Sequence, residues 1–126
     1  MNVLITGAAG RIGSLLTREL GDRHHIRAFD LALAEGIDDS VTGDLEDISQ
    51  LATAMRGMEA VIHLAAAAGA RSSWAEVLRS NIIGTRNVFE AARECSESAR
   101  IHPRVFETLR PATRECCGAA EAAREC

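Results

Sequence analysis

The chain has 126 residues and a formal net charge of −4, and 47% of its residues are hydrophobic. This length suffices for one small domain with a hydrophobic core, and the composition excludes a generally disordered chain. The acidic balance argues against a nucleic-acid partner and against binding to an anionic membrane surface. Every residue in the Lys and Arg count is an arginine, and the sequence also contains no tyrosine.

Signals for membrane insertion, secretion and disulfide bonding are weak. The longest apolar stretch, residues 61–70, is interrupted by a histidine and is too short to span a bilayer. Met1 leads directly into an apolar strand pattern, which leaves no room for a signal peptide. The four cysteines form no C-x-x-C pair, so we expect no disulfide framework. We therefore expect a cytoplasmic protein without a membrane partner.

The predicted elements alternate between strands and helices. In chain order they are strand 2–6, helix 11–20, strand 26–30, strand 41–42, a helix ending at 55, strand 60–64 and helix 73–95. We expect Gly21 to cap the first helix in a left-handed conformation, Asp47 or Ser49 to cap the second, and Gly57 to stop it. The alternation predicts an α/β fold with a doubly wound parallel sheet between two helical layers.

The predicted helix 73–95 carries an apolar stripe at helical spacing. Its members are Trp74, Val77, Leu78, Ile82, Val88, Phe89 and Ala92. Asn81 falls on this stripe, and its amide needs partners, either backbone groups or a catalytic network. Gly84 lies in mid-helix and predicts the close approach of another backbone. Ile83 points away from the stripe, which indicates a second helix partner and self-association through residues 73–95.

The main candidate site is the glycine turn at residues 6–13, which follows a strand and opens a helix. Gly7 is expected to form the tight turn and Gly10 to admit a pyrophosphate. Gly13 is expected to let the helix pack closely, and Arg11 and Ile12 begin that helix. Three glycines at this spacing and in this context predict a bound nucleotide cofactor, held by backbone N–H groups at the helix N-terminus.

Asp30 ends the second strand about 20 residues after the turn, where a carboxylate accepts hydrogen bonds from ribose hydroxyls. Its charge would repel a 2′-phosphate, so NAD is favoured over NADP. Arg11 and Arg27 are candidates for softening that repulsion. A solvated loop acid is the alternative role for Asp30.

Two further sets of residues follow the third and fourth strands. Asp44 and Leu45 are expected beside the adenine, although Asp44 is almost as well explained as a helix cap. Small side chains at Ala65, Ala66 and Ala67 are expected to leave space for the cofactor at the carboxyl ends of the strands. The four histidines make no ligand set at metal spacing, so we expect no metal site.

The pattern degrades after Cys95. A fifth strand at residues 104–106 is short and flanked by charge, and residues 121–126 repeat residues 90–95 letter for letter. The sequence therefore predicts a nucleotide-binding domain at 1–95 and an atypical tail at 96–126.

These motifs together resemble the extended short-chain dehydrogenase/reductases, the NAD-dependent epimerase/dehydratase group, and within it the uronate dehydrogenase-like members. The resemblance rests on TGAAGRIG at 6–13, Asp30, GDL at 43–45, HLAA at 63–66 and SNIIGTRNVFEAARE at 80–94. It implies a Rossmann-type fold that binds NAD through the residues named above. It also implies that Asn81 supports the active site, and that sugars or related alcohols are oxidised or epimerised.

The family's catalytic serine and Tyr-x-x-x-Lys pair have no counterpart in this sequence, because Tyr and Lys are absent and Thr108 does not match the serine turn. The resemblance therefore covers the N-terminal part only, with the fold incomplete at its C-terminal side. Three functions stay open. The chain is a truncated or frame-shifted piece of a sugar dehydrogenase or epimerase, a non-catalytic NAD(P)-binding sensor or regulatory protein, or an enzyme completed by another chain.

Overall fold

The computed structural model describes residues 1–69 and 71–98. Its four strands are β1 (Asn2–Thr6), β2 (His25–Asp30), β3 (Ser40–Thr42) and β4 (Ala60–His63). The helices are α1 (Arg11–Gly21), α2 (Ile48–Met55), α3 (Trp74–Val77) and α4 (Thr85–Ser98), with a π-helical segment (Leu78–Gly84) joining the last two. The predicted strand at 104–106, Thr108 and the repeat at 121–126 lie outside the described residues.

The four strands form one parallel sheet in the order β3-β2-β1-β4. Since successive side chains of a strand point to opposite faces of the sheet, β1 contributes side chains to two hydrophobic cores, one on each face. Val3 and Ile5 pack on the side of α1, whereas Leu4 joins the core formed with α2 and α4. The predicted three-layer α/β arrangement is therefore confirmed for this part of the chain.

The ends of the first two helices test the cap predictions. Asp47 caps α2, because its Oδ1 accepts hydrogen bonds from the backbone N–H groups of Ser49 (3.0 Å) and Gln50 (3.1 Å). Gly57 follows that helix with a φ of 76°. The left-handed cap predicted at Gly21 is wrong, because Gly21 is the last residue of α1 and the C-cap residue is Asp22, which has a right-handed φ of −68°.

The long helix starts where the sequence predicts and continues to Ser98. Ser73 and Glu76 form a capping box at its N-terminus, with the Ser73 N–H donating to the Glu76 carboxylate at 2.7 Å. The π-helical segment is a feature that the sequence analysis missed. In the described part of the chain, no helix is both long enough and apolar enough to cross a membrane.

The apolar stripe predicted along this helix is confirmed at Val88, which is buried, and at Ala92, which packs on the core, but it is wrong as a continuous stripe. Trp74, Ile82 and Phe89 are exposed, and the buried positions are Gly84, Asn87, Val88 and Ala91. A π-helical turn holds more residues than an α-helical turn, so α-helical spacing fails across residues 78–84. The helix surface that packs on α2 lies mainly in α4.

Gly84 has a steric role that differs from the predicted one. A Cβ at this position would lie 2.9 Å from both Cβ and Cδ1 of Leu45, which follows β3. The close neighbour is therefore a side chain from a loop, and not the backbone of another helix. The missing side chain lets the helix press against the loop after β3.

We predict that Gly84→Ala destabilises the fold. The gain in helix propensity is about 1 kcal/mol, but overpacking against Leu45 costs about 1–3 kcal/mol. The expected net loss is about 1 kcal/mol in the free energy of unfolding, measured by chemical denaturation. Gly21→Ala is the matched control, because a Cβ there meets nothing within 4 Å. Equal stability changes in the two variants would contradict the packing role of Gly84.

Candidate functional site

A cleft of about 630 Å³ lies at the carboxyl ends of the strands. Its walls come from the glycine turn, the ends of β2 and β3, the loop after β4 and the start of the long helix. The sheet order reverses between β1 and β4, so this is the topological switch point where open α/β sheets bind ligands. The described walls include eight predicted site residues, which are Gly7, Gly10, Asp30, Asp44, Leu45, Ala65, Ala66 and Ala67.

Gly7 makes the tight turn between β1 and α1. Its φ of 73° lies in the left-handed region, and its N–H donates to the Phe29 carbonyl at 2.9 Å. A Cβ on Gly7 would lie 2.6 Å from the backbone nitrogen of Ala65. The turn is therefore packed directly against the loop that follows β4.

The N-terminus of α1 is open to an anion. Gly10 is its N-cap and has no side chain to accept hydrogen bonds from the first turn, which contains no acidic residue. The first-turn N–H groups of a helix have no partner within the helix. They belong here to Arg11, Ile12 and Gly13, and the donor set suits a phosphate group.

Arg11, Ile12 and Gly13 are not part of the cleft walls as described. Ile12 is exposed, with 64% of its surface accessible. Gly13 is buried against the glycine turn, where a Cβ would lie 2.1 Å from the Gly7 carbonyl oxygen. It therefore packs the helix against the turn rather than against the strands of the sheet.

Asp30 connects the end of β2 to the glycine turn. Its Oδ2 accepts a hydrogen bond from the Ala9 N–H at 3.0 Å, and its Oδ1 accepts one from the Ala32 N–H at 3.3 Å. These bonds fix the carboxylate in the cleft wall and leave lone pairs for further donors. Asp30 is therefore held in position rather than being a freely solvated loop acid.

Arg27 does not take the place considered for it beside Asp30. Its Nε donates to both carboxylate oxygens of Asp39, at 2.9 and 3.0 Å, and its Nη1 donates to the Ala54 carbonyl at 3.0 Å. The bond from Arg27 also lowers the pKa of the Asp39 carboxyl. The guanidinium therefore bonds to Asp39 and Ala54, and the structure shows no bond from it to Asp30.

The loop after β3 contributes Asp44 and Leu45. Asp44 accepts a hydrogen bond from the Glu46 N–H at 3.0 Å, and so it closes its own turn while Asp47 caps α2. Leu45 is buried against Gly84, and its carbonyl accepts a hydrogen bond from the Asn87 amide at 2.9 Å. The long helix therefore holds this wall of the cleft.

The same helix holds the alanine loop after β4. Asn81 binds the backbone of Ala67 twice, since its Oδ1 accepts from the N–H at 2.7 Å and its Nδ2 donates to the carbonyl at 3.2 Å. Of the two roles left open for the Asn81 amide, the structure therefore provides backbone partners. Its side chain fixes the loop that forms one wall of the cleft.

Charged residues at the mouth of the cleft escaped the sequence analysis. Arg79 lines it and donates from Nε to Glu46 at 2.9 Å, and this bond lowers the pKa of the Glu46 carboxyl. Glu76 and Ser80 also line the cleft. The partner of Arg79 is distant in sequence, so no local signal identifies it, whereas Glu76 belongs to the local capping box with Ser73, a sequence signal that marks a helix start and not a cleft.

His63 lies beside this site and not in a metal centre. Its Nδ1 is 2.6 Å from the Thr6 hydroxyl and its Nε2 is 3.0 Å from the Thr85 hydroxyl. Burial lowers the pKa of the ring. Within residues 1–69 and 71–98, no three His, Cys, Asp or Glu side chains are grouped to hold a metal ion.

Known proteins share both the sequence pattern and this fold. The NAD-dependent glucose-6-phosphate dehydrogenase of Haloferax volcanii is 40% identical over 98 residues, covering 71% of this chain and 37% of that enzyme. The structure of uronate dehydrogenase from Agrobacterium tumefaciens, a mutant complexed with NAD, matches with a TM-score of 0.67 and 30% identity, covering 74% of this chain and 36% of that one.

A second solved structure, MoeE5 in complex with UDP-glucuronic acid and NAD, matches with a TM-score of 0.69 and 35% identity, covering 76% of this chain and 34% of that one. The chain thus spans about a third of the length of these relatives. These likenesses confirm the Rossmann-type fold and the uronate dehydrogenase-like resemblance. The model of the NAD dependent epimerase/dehydratase family matches residues 3–107, and the chain belongs to that family.

Proposed function

We propose that this chain is the NAD-binding N-terminal portion of a sugar dehydrogenase or epimerase of the uronate dehydrogenase type. The observation that carries the proposal is the placement of Asp30, whose carboxylate is bonded to the Ala9 N–H at the glycine turn inside the cleft. A phosphate-binding turn and a ribose-binding acid therefore face one ligand-sized space. The relatives named above, which act on or bind sugars, support the substrate class.

In the proposed complex the pyrophosphate would lie at the uncapped N-terminus of α1, next to Gly10 in the cleft wall, and the N–H groups of Arg11, Ile12 and Gly13 just beyond that wall would bind it. Gly7 and Gly10 let the backbone approach it. Asp30 accepts hydrogen bonds from the ribose hydroxyls, and its charge favours NAD over NADP. When bound, NAD would accept a hydride from the substrate. The remaining contacts come from Asp44, Leu45, Ala65, Ala66 and Ala67.

Asn81 supports this site as a positioning residue. It holds the backbone of Ala67 through both its oxygen and its nitrogen, and so it fixes the wall beside which the cofactor would lie. The 126 residues contain no tyrosine and no lysine, so they offer no Tyr-x-x-x-Lys pair for proton transfer. Oxidation or epimerisation of a sugar or uronate would require residues supplied from beyond these 126.

A non-catalytic role is the alternative, in which the chain is an NAD(P)-binding sensor or regulatory protein. The same absence of Tyr and Lys favours it, because the cofactor cleft does not depend on either residue type. The cytoplasmic location expected from the sequence is kept as part of this proposal.

We predict saturable binding of NAD, with weaker binding of NADP, in isothermal titration calorimetry. Asp30→Ala should lower the affinity for NAD by roughly tenfold, since it removes hydrogen bonds to a charged acceptor. The variant should also bind NAD and NADP with more nearly equal affinities. Asp38→Ala removes the same charge from an exposed position that does not line this cleft, and it should change neither property. Absence of saturable binding would refute the cofactor assignment.

We predict no turnover by the chain alone on uronic acids or nucleotide sugars. The physical reason is the absence of a proton acceptor of the family's Tyr-x-x-x-Lys type. NADH formation followed by absorbance measures this directly, with NAD at a concentration that saturates the cleft. Measurable activity would show that another group takes the proton.

Self-association through the long helix is the accompanying proposal. Trp74, Ile82 and Phe89 are exposed by 72, 55 and 55%, and Ile83, which the sequence marks for a second helix partner, is exposed by 39%. Such a surface favours contact with another copy of the chain.

We predict concentration-dependent association in sedimentation velocity, because burial of these side chains is favourable. Phe89→Arg should shift the distribution towards the monomer, since it places a charge in the contact. Leu33→Arg makes a similar change at a loop residue that is 66% exposed and should leave association unchanged. A monomer at all concentrations, or an equal effect of both variants, would refute this proposal.

A further inference from the structure

Three hydrogen-bonded side chains link the end of β1 to the end of β4 and to the start of α4. Thr6 and His63 are register partners on β1 and β4, and their side chains meet at 2.6 Å between the hydroxyl and Nδ1. On its other side the ring meets the Thr85 hydroxyl at the start of α4, at 3.0 Å from Nε2. Thr6 is completely buried, so its hydroxyl depends on these partners.

The direction of the hydrogen bonds follows from the partners of Thr6. Its hydroxyl oxygen also lies 3.5 Å from the backbone nitrogen of Ala65, which is a donor. The oxygen therefore accepts from Ala65, and Nδ1 of His63 is the acceptor that the described residues provide for the buried hydroxyl proton, so we assign the Thr6 hydroxyl as the donor to Nδ1. That leaves the ring proton on Nε2, where it is donated to Thr85.

Nothing in the immediate surroundings favours a charged ring. The partners from β1 and α4 are the two threonine hydroxyls, and within the described residues no carboxylate, guanidinium or second histidine bonds to the ring. Burial alone lowers the pKa of His63. His24 and His25 lie at the amino end of β2, away from the cleft.

We propose that neutral His63 is a positioning residue that sets the Thr6–Ala65 contact, so that protonation of its ring weakens NAD binding. The inference rests on the proposed function of the cleft. It adds a residue that touches no cofactor and yet controls the cofactor's affinity through the loop after β4.

The mechanism is an exchange of donor and acceptor roles. A protonated ring donates from Nδ1, so the Thr6 oxygen must accept from the ring, and the hydroxyl proton loses its acceptor. The oxygen has two lone pairs and can accept from both nitrogens, but the buried hydroxyl must turn to aim one of them at the ring, which alters its contact with Ala65. Because the Ala65 backbone is packed on Gly7 without room for a methyl group, a shift of Ala65 is transmitted to the glycine turn.

The test is NAD titration calorimetry from pH 8 down to the lowest pH at which circular dichroism shows a folded chain, because burial lowers the pKa of His63 and so moves its protonation to a lower pH. In the natural chain the dissociation constant for NAD should rise about fivefold on acidification, the equivalent of one lost hydrogen bond. His63→Asn keeps an oxygen that can accept from Thr6 but does not titrate, so its affinity should be independent of pH. His25→Asn is the matched control and should keep the pH dependence.

A second measurement needs no variant. By reciprocity, if NAD prefers the neutral ring, then NAD binding must lower the pKa of His63, which ring nitrogen NMR shifts report directly. An affinity for NAD that does not change with pH, or a His63 pKa that NAD leaves unchanged, would overturn the inference while the proposed function stands. Failure of NAD to bind at any pH would overturn both.

Discussion

The loops after β3 and β4 both depend on hydrogen bonds from the long helix that begins at Trp74 and ends at Ser98. Backbone groups that leave the end of a parallel sheet lose their ladder partners and must find others. Asn81 supplies them for Ala67, and Asn87 supplies one for the carbonyl of Leu45. Two walls of the cleft are thereby fixed by one element, so the geometry of the site is inseparable from the position of that helix.

The glycine turn is fixed in the same indirect way. Asp30 accepts from the Ala9 N–H, and the Gly7 N–H donates to the carbonyl of Phe29, so the end of β2 determines the path of the turn. The loop after β4 presses on Gly7 from the other side. Since three strand ends meet there, a shift of any one of them also shifts the glycine turn and the N-terminus of α1.

Local signals in the sequence were sufficient for the sheet and for most element boundaries. The apolar run before Gly7, the acid at position 47 and the glycine at position 57 each act through neighbours in the chain, and the structure places them as predicted. The cap at Gly21 failed because α1 continues through that residue and ends in a right-handed conformation. A glycine permits a left-handed residue but does not require one.

Features that depend on distant partners were not predictable in this way. The contact of Gly84 with Leu45, the commitment of Arg27 to Asp39 and the Arg79–Glu46 pair all join residues that are far apart in sequence. The stripe failed for a different reason, because the period of the helix changes over residues 78–84. A pattern read at a single period cannot represent such a helix.

The π-helical segment sets the rotation of α3 about the helix axis relative to α4. If residues 78–84 took up α-helical spacing, α3 would turn about the helix axis relative to α4 by roughly one residue's rotation, about 100°. Trp74 and the capping box at Ser73 would swing with it, whereas α4 would stay anchored on α2. The wide turn thus sets the angle at which the first turn of the helix faces the mouth of the cleft.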